Sequence, residues 1–237
     1  MNLLALETST EACSVALLQR GRVIERSEIA PRRHAELVLP MADAVLAEAG
    51  ITRRQLDVIA VGRGPGAFTG VRLAVSLAQG MALGLDLPVV PVSSLAALAW
   101  DAPDNGAPVL ALIDARMGEV YAGTFRRDAA RGLVPIASES VGPASGLTLP
   151  EAAAWNVIGS GWDAYRDAAR ERLGAAPRWS DGARHPQAAA IAHLAAAEFA
   201  AGRALAPELA LPVYLRDKVA LTLTEQKAAR AASAQQQ

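Results

Sequence analysis

Residues 2–29 read NLLALETSTEACSVALLQRGRVIERSEI. Three apolar runs, 2–8, 12–19 and 22–29, are separated by the turn-formers Ser9-Thr10-Glu11 and by Arg20-Gly21. Runs of strand length joined by short polar gaps predict a three-stranded antiparallel meander. A helix is expected next, over 34–49, with Leu37, Val38, Leu39, Met41, Val45 and Leu46 apolar and Gly50 as the stop. Pro40 lies inside that pattern, so a kink or a start near 39 is allowed for. Residues 57–61 read as a strand, the Gly-rich loop 62–70 leads into a helix over 69–84 with Thr69 as its N-cap, and 88–92 reads as a strand. A further helix is expected from about Ser94 to Trp100. The order βββαβαβα describes an α/β fold with a mixed sheet, not a bundle or a sandwich.

Residues 101–108, DAPDNGAP, form the clearest linker, with two prolines, a glycine and three short polar residues. Beyond it, VLALIDARMGEVYAGT (109–124) echoes LLALETSTEACSVALL (3–18): an apolar strand, a polar turn, a second strand. Two ordinary hairpins would look similar, but recurrence at the midpoint suggests a duplicated unit. The second half continues with a strand over 133–141, a helix from 150, a strand at 155–158, a helix around 163–173 and an Ala-rich helix over 187–200. PVYLR (212–216) reads as a closing extended segment. The implied organisation is an N-terminal subdomain 1–103, a C-terminal subdomain 104–220 and a tail 221–237, read as flexible.

The chain has 237 residues, 52% apolar and 20% charged, enough to bury a core and too apolar to be disordered as a whole. Its longest apolar runs are interrupted by Gly, Pro or charge, so no membrane-spanning helix is expected. The N-terminus runs directly into a strand without a basic segment, and a single cysteine, Cys13, allows no internal disulfide; both point to a cytoplasmic protein. A net charge of −1 argues against autonomous nucleic-acid binding. The short clusters Arg32-Arg33-His34, Arg53-Arg54 and Arg126-Arg127 read as solvated loop charges.

GRGPGAFTGVR (62–72) is the most informative candidate site. It lies between a strand and a helix, where free N–H groups and the helix dipole attract anions. It lacks the Gly-Lys-Ser/Thr of a P-loop, and it does not follow the first strand, as a dinucleotide fingerprint would. Gly64, Gly66 and Thr69 are therefore candidates for phosphate or nucleotide contact, against an equally weighted reading in which the glycines serve tight packing. Glu7 and Asp114 stand near strand ends and could contact a cation, although turn or capping roles are simpler. His34, His185 and His193 lack metal-ligand spacing, and Cys13 reads as a small core residue. No catalytic constellation emerges. Both helices, 34–49 and 69–84, carry more apolar surface than one sheet face can cover, and so call for a partner or, as the alternative, for cover by the chain's own second half.

The blocks LALETSTEACSVALL, PRRHAELVLPMADAVL, GRGPGAFTGVRLAVSLAQGMALG, IDARMGEVYAGTF and PVYLRDKVA resemble the TsaB family. The resemblance implies two ribonuclease-H-like halves of the actin, Hsp70 and sugar-kinase type, with mixed sheets and flanking helices. It implies a non-catalytic subunit that binds and activates TsaD, the transferase forming N6-threonylcarbamoyladenosine at position 37 of tRNAs that read codons beginning with adenine. Where TsaD carries its H-x-x-x-H metal motif, this sequence has Ser94 and Leu98, which cannot hold a metal. Glu7 stands where Asp is usual in the family. The implied partners are TsaD as a heterodimer, TsaE through the complex, a second copy when alone, and tRNA only indirectly. No intrinsic cofactor is implied, and ATP or ADP would sit at the surface shared with TsaD. Leu37, Met41, Val45, Val71, Val75 and Gln79 are the expected partner contacts. The competing expectation is an independent small ATPase or metal-dependent glycoprotease of the same superfamily.

Overall fold

The computed structural model describes residues 1–128 and 132–216. The proposed tail 221–237, and the end of the PVYLRDKVA block, lie outside the described residues. Strands β1 (Asn2–Glu7), β2 (Ala12–Gln19) and β3 (Arg22–Ile29) form the expected meander, with Leu3 opposite Leu18 and Leu17 opposite Ile24. β4 (Val58–Gly62) joins β1 in parallel, and β5 (Val89–Val92) joins β4, giving the order β3-β2-β1-β4-β5. Both faces of this sheet are buried. Leu4, Leu6, Val15 and Leu17 point to one side, and Leu3, Ala5, Ala16 and Leu18 to the other. Double coverage is why the strands read as continuous apolar runs rather than alternating ones.

Helices α1 (His34–Ala49) and α2 (Phe68–Leu85) cover the first of these faces. α1 runs through Pro40 from His34 and stops at Gly50, whose φ of +68° permits the left-handed cap. α2 begins one residue before Thr69, which is therefore not its N-cap: Ala67 holds that position with no side-chain capping bond. The helix start is set by tertiary contact instead, since the Ala67 N–H donates to the Ser9 carbonyl at 2.7 Å. By length and composition alone, the 18 residues of α2 would suit a membrane span, contrary to the sequence expectation. Its Ala74, Val75, Ala78 and Ala82 are nevertheless buried against the sheet.

The second sheet repeats the first. β6 (Val109–Arg116) and β7 (Glu119–Asp128) form a hairpin equivalent to β1–β2, and β8 (Gly132–Pro135) continues the meander. β10 (Asn156–Ile158) and β11 (Trp179–Asp181) add in parallel beside β6, so the order β8-β7-β6-β10-β11 reproduces that of the first sheet. The suspected duplication is thus a duplicated α/β unit. The strand expected over 133–141 is divided between β8 and β9 (Ser140–Pro143), which pair with different ends of β7. No helix starts at 150, where the chain is irregular with Leu147 and Trp155 packed into the core. The expected helix around 163–173 is two short ones, α4 (Ser160–Ala164) and α5 (Arg166–Leu173).

α3 (Ser94–Trp100) lies between the sheets, with Ala97 against the first and Leu95 and Leu98 against the second. α6 (Ala188–Ala200) returns to the open face of the first sheet, against Leu3, Ala5, Val58 and Ala60. Side chains of that sheet receive its N-terminus: Ser14 Oγ accepts from the Ala188 N–H at 2.9 Å and Glu25 from the Ala189 N–H at 2.8 Å. A division in chain order at 103/104 therefore does not follow the packing, because α6 completes the first sheet's layer.

Candidate functional site

The Gly-rich loop is packed against the β1–β2 turn. A Cβ on Gly66 would run into the Ser9 carbonyl, and one on Gly70 into the Thr8 carbonyl. Gly64, at φ +90°, lies under the Val213 carbonyl and the Val71 side chain. Close backbone approach thus accounts for these glycines. Thr69 is exposed on the first turn of α2. The expected phosphate or nucleotide contact at Gly64, Gly66 and Thr69 is a separate matter from this packing, and Gly66 also faces a cleft between the two sheets.

Glu7 is buried at the end of β1, over Gly62 of β4. Its carboxylate accepts from the Ser9 N–H at 2.6 Å and from the Ser94 hydroxyl at 2.7 Å. Burial raises its pKa above the usual carboxylate range, and the bonds from Ser9, Ser94 and Thr8 pull it part of the way back. The Ser94 hydroxyl is thereby spent on tying α3 to β1. Leu98 is buried against the second sheet. Asp114 accepts from the Arg116 N–H at 2.8 Å, the Arg116 guanidinium at 2.9 Å and the Tyr165 hydroxyl at 3.1 Å, a turn-fixing role.

One arginine of each basic cluster is engaged locally. Arg33 pairs with Glu28 and Glu36, Arg53 with Asp43, and Arg127 donates to the Trp100 and Ala102 carbonyls. His193 stacks on Trp100, with ring centroids 5.4 Å apart. Cys13 is a buried strand residue whose thiol is pushed up to about 11 by burial, with Glu28 and Glu7 adding to the effect.

Between the two sheets lies a cleft of about 770 Å³, lined by the 9–11 turn, residues 65–68, residues 113–116 at the end of β6 and the 213–216 segment. Neither its geometry nor its lining was legible in sequence, because the contributing turns are up to two hundred residues apart.

The outer faces of α1 and α2 correct the expected partner residues. Val45, Val71 and Val75 are at most 2% exposed and belong to the chain's own core. Leu37 and Met41 are half-buried at its edge, and Gln79 is half-buried with its amide donating to the Ala210 carbonyl at 3.1 Å. The outward side of α1 carries Leu39, Pro40, Ala44 and Ala47 together with Glu36, Asp43 and Glu48. That of α2 is less polar. Ser76, Gly80 and Gly84 follow one another at four-residue spacing, flanked by Leu73, Leu77 and a 63% exposed Leu83. A Cβ on Gly80 or Gly84 would meet nothing within 4 Å, so no contact inside the chain requires glycine there.

A family model for TsaD, tRNA N6-adenosine threonylcarbamoyltransferase, matches residues 24–222. The tRNA threonylcarbamoyladenosine biosynthesis protein TsaB of Escherichia coli K12 is 42% identical over 232 residues, covering 93% of this chain and 96% of that protein. Its Haemophilus influenzae counterpart is 40% identical over 229 residues, 92% of this chain and 95% of that protein. The solved structure of YeaZ from Pseudomonas aeruginosa is 44% identical with a TM-score of 0.83, covering 90% of this chain and 99% of that one. The transferase of Prosthecochloris aestuarii is 36% identical, but over 46% of this chain and 36% of its own length. Near-complete coverage distinguishes the first relatives from the transferases: this chain belongs to the TsaB family of tRNA threonylcarbamoyladenosine biosynthesis proteins.

Proposed function

We propose that this chain is the non-catalytic subunit that docks on and activates TsaD in forming N6-threonylcarbamoyladenosine at position 37 of tRNAs that read codons beginning with adenine. The observation that carries the reading is the outer face of α2. Interior helical glycine costs about 1 kcal/mol relative to alanine. Gly80 and Gly84 incur that cost with open space in front of them, which fits a face that another helix approaches closely. Leu39, Leu73, Leu77 and Leu83 supply apolar surface beside them. In isolation a second copy would cover the same face, giving a homodimer that TsaD replaces. TsaE would join through the complex, and tRNA would be contacted only indirectly, consistent with basic residues engaged in separate local pairs. ATP or ADP would associate with the joint surface rather than with this chain alone.

Light scattering after size exclusion, on the chain alone and mixed with TsaD from the same source, tests the reading. A homodimer giving way to a heterodimer is expected. A chain that stays monomeric and forms no mixed species would overturn it.

A further inference from the structure

The segment 210–216 joins parts of the molecule that no sheet connects. The Val213 N–H donates to the Arg63 carbonyl at the end of β4, at 2.9 Å. One residue on, the Tyr214 hydroxyl accepts from Arg72 of α2 at 2.7 Å, and the Tyr214 ring lies 5.5 Å from that of Phe68. Two residues further, Arg216 donates to the Ala115 carbonyl at 3.1 Å and pairs with the Glu119 carboxylate, both on the β6–β7 hairpin of the second sheet. Three residues of this stretch thus grip the first sheet, its covering helix and the second sheet in succession. Ala210, which accepts from Gln79, anchors the start of the segment on α2. Val213 and Leu215 line both the 770 Å³ cleft and a neighbouring cavity of about 750 Å³, so the segment is the wall between them. Across the same cleft, Glu11 of the first sheet's turn meets Arg116 of the second's at 2.7 Å.

We infer that residues 210–216 act as an internal strap that fixes the angle between the two sheets by bridging the cleft from within, so that its release joins the two cavities into one open groove. The side chains suit that task. Arg216 is only 18% exposed, which shields its ion pair from solvent and salt more than the pairs of the exposed Arg33 and Arg53. On each sheet one of the bonded groups, the Arg63 carbonyl on the first and the Ala115 carbonyl on the second, is a backbone group beside a strand end, whose position the sheet dictates.

Hydrogen exchange on the full chain tests the strap in the absence of any partner, and so independently of the TsaD reading. The readouts are the Val213 amide and, as an internal standard, the amides of β1. In the native chain Val213 is expected to exchange slowly. Arg216→Gln, which removes the charge-assisted bonds to the second sheet, is expected to speed it roughly tenfold or more, and Tyr214→Phe by a smaller factor, with β1 unchanged. A native Val213 amide exchanging at the rate of a free peptide would overturn the inference. Protection that survives Arg216→Gln within about twofold would do so too, since the second sheet would then have no part in holding the segment. Equal acceleration in β1 would make Arg216 an ordinary stabilising residue and would also overturn it.

Discussion

Gly80→Ala separates a glycine kept for the chain's own packing from one kept for a partner. Its helical backbone lies within α2, and the added methyl would meet no atom within 4 Å. The isolated chain should gain about 0.5–1 kcal/mol, because alanine loses less backbone entropy on helix formation and has a higher helix propensity. In a chain of this size that is a rise of roughly 1–4 °C in melting temperature. Association should move the other way. A methyl forced into a close helix–helix contact costs about 1–3 kcal/mol by overpacking, which weakens binding to TsaD by roughly five- to a hundredfold. Melting should be recorded at dilutions where the chain is monomeric, because self-association would otherwise mask the gain. Isothermal titration against TsaD supplies the second number. Gly84→Ala, one turn further along the same face, should repeat the pattern with smaller effects near the helix end. A destabilised isolated chain would show that the glycine serves the fold, and unchanged affinity would remove α2's outer face from the interface.

Leu83→Glu, at a site 63% exposed, should leave the melting temperature nearly unchanged and abolish pairing in size exclusion; Val75→Glu, at a site 2% exposed, should prevent folding by burying a carboxylate at a cost of several kcal/mol. The reverse ranking by circular dichroism would contradict the assigned helix faces. Glu7 titrates above its unfolded value of 4.5, so its contribution to stability is complete below that pH and fades as pH rises through the folded value. Urea unfolding from pH 4.5 upward should therefore show wild type losing stability relative to Glu7→Gln, and a difference independent of pH would refute the burial argument. Gly66→Ala drives a methyl into the Ser9 backbone, which cannot rotate away, and should cost about 1–3 kcal/mol in chemical denaturation. Cys13, with its thiol near 11, should resist alkylation at pH 8 until the chain is unfolded, and rapid labelling of native protein would place it outside the core.

The opening meander, both N-terminal helices and the repeat at residue 109 were legible because each depends on local pattern. Apolar runs of strand length with turn residues between them leave few alternatives, and Gly50 marks a helix end by a conformation that glycine adopts readily. The second half was harder to read. β10 matches the strand read at 155–158, but β11 has three residues, too short for periodicity to register, and β8 and β9 separate only because they pair with different stretches of β7. The N-terminus of α2 was misplaced for a related reason, since a backbone bond to Ser9 sets it and no capping side chain announces it.

The sequence by itself determined the α/β class, the duplication and the excess of apolar residues on two helices, all of them consequences of composition and spacing along the chain. Tertiary structure decided which of those residues were free. Val45, Val71 and Val75 look no different in sequence from Leu39 and Leu83, and only the rotation of each helix against the sheet sends the first set inward and the second outward. The same holds for the glycines. Gly66 and Gly70 are required by the Ser9 and Thr8 carbonyls pressed against them, whereas Gly80 faces open space. A glycine's role lies in what approaches it, and that neighbour is set by the packing of distant segments.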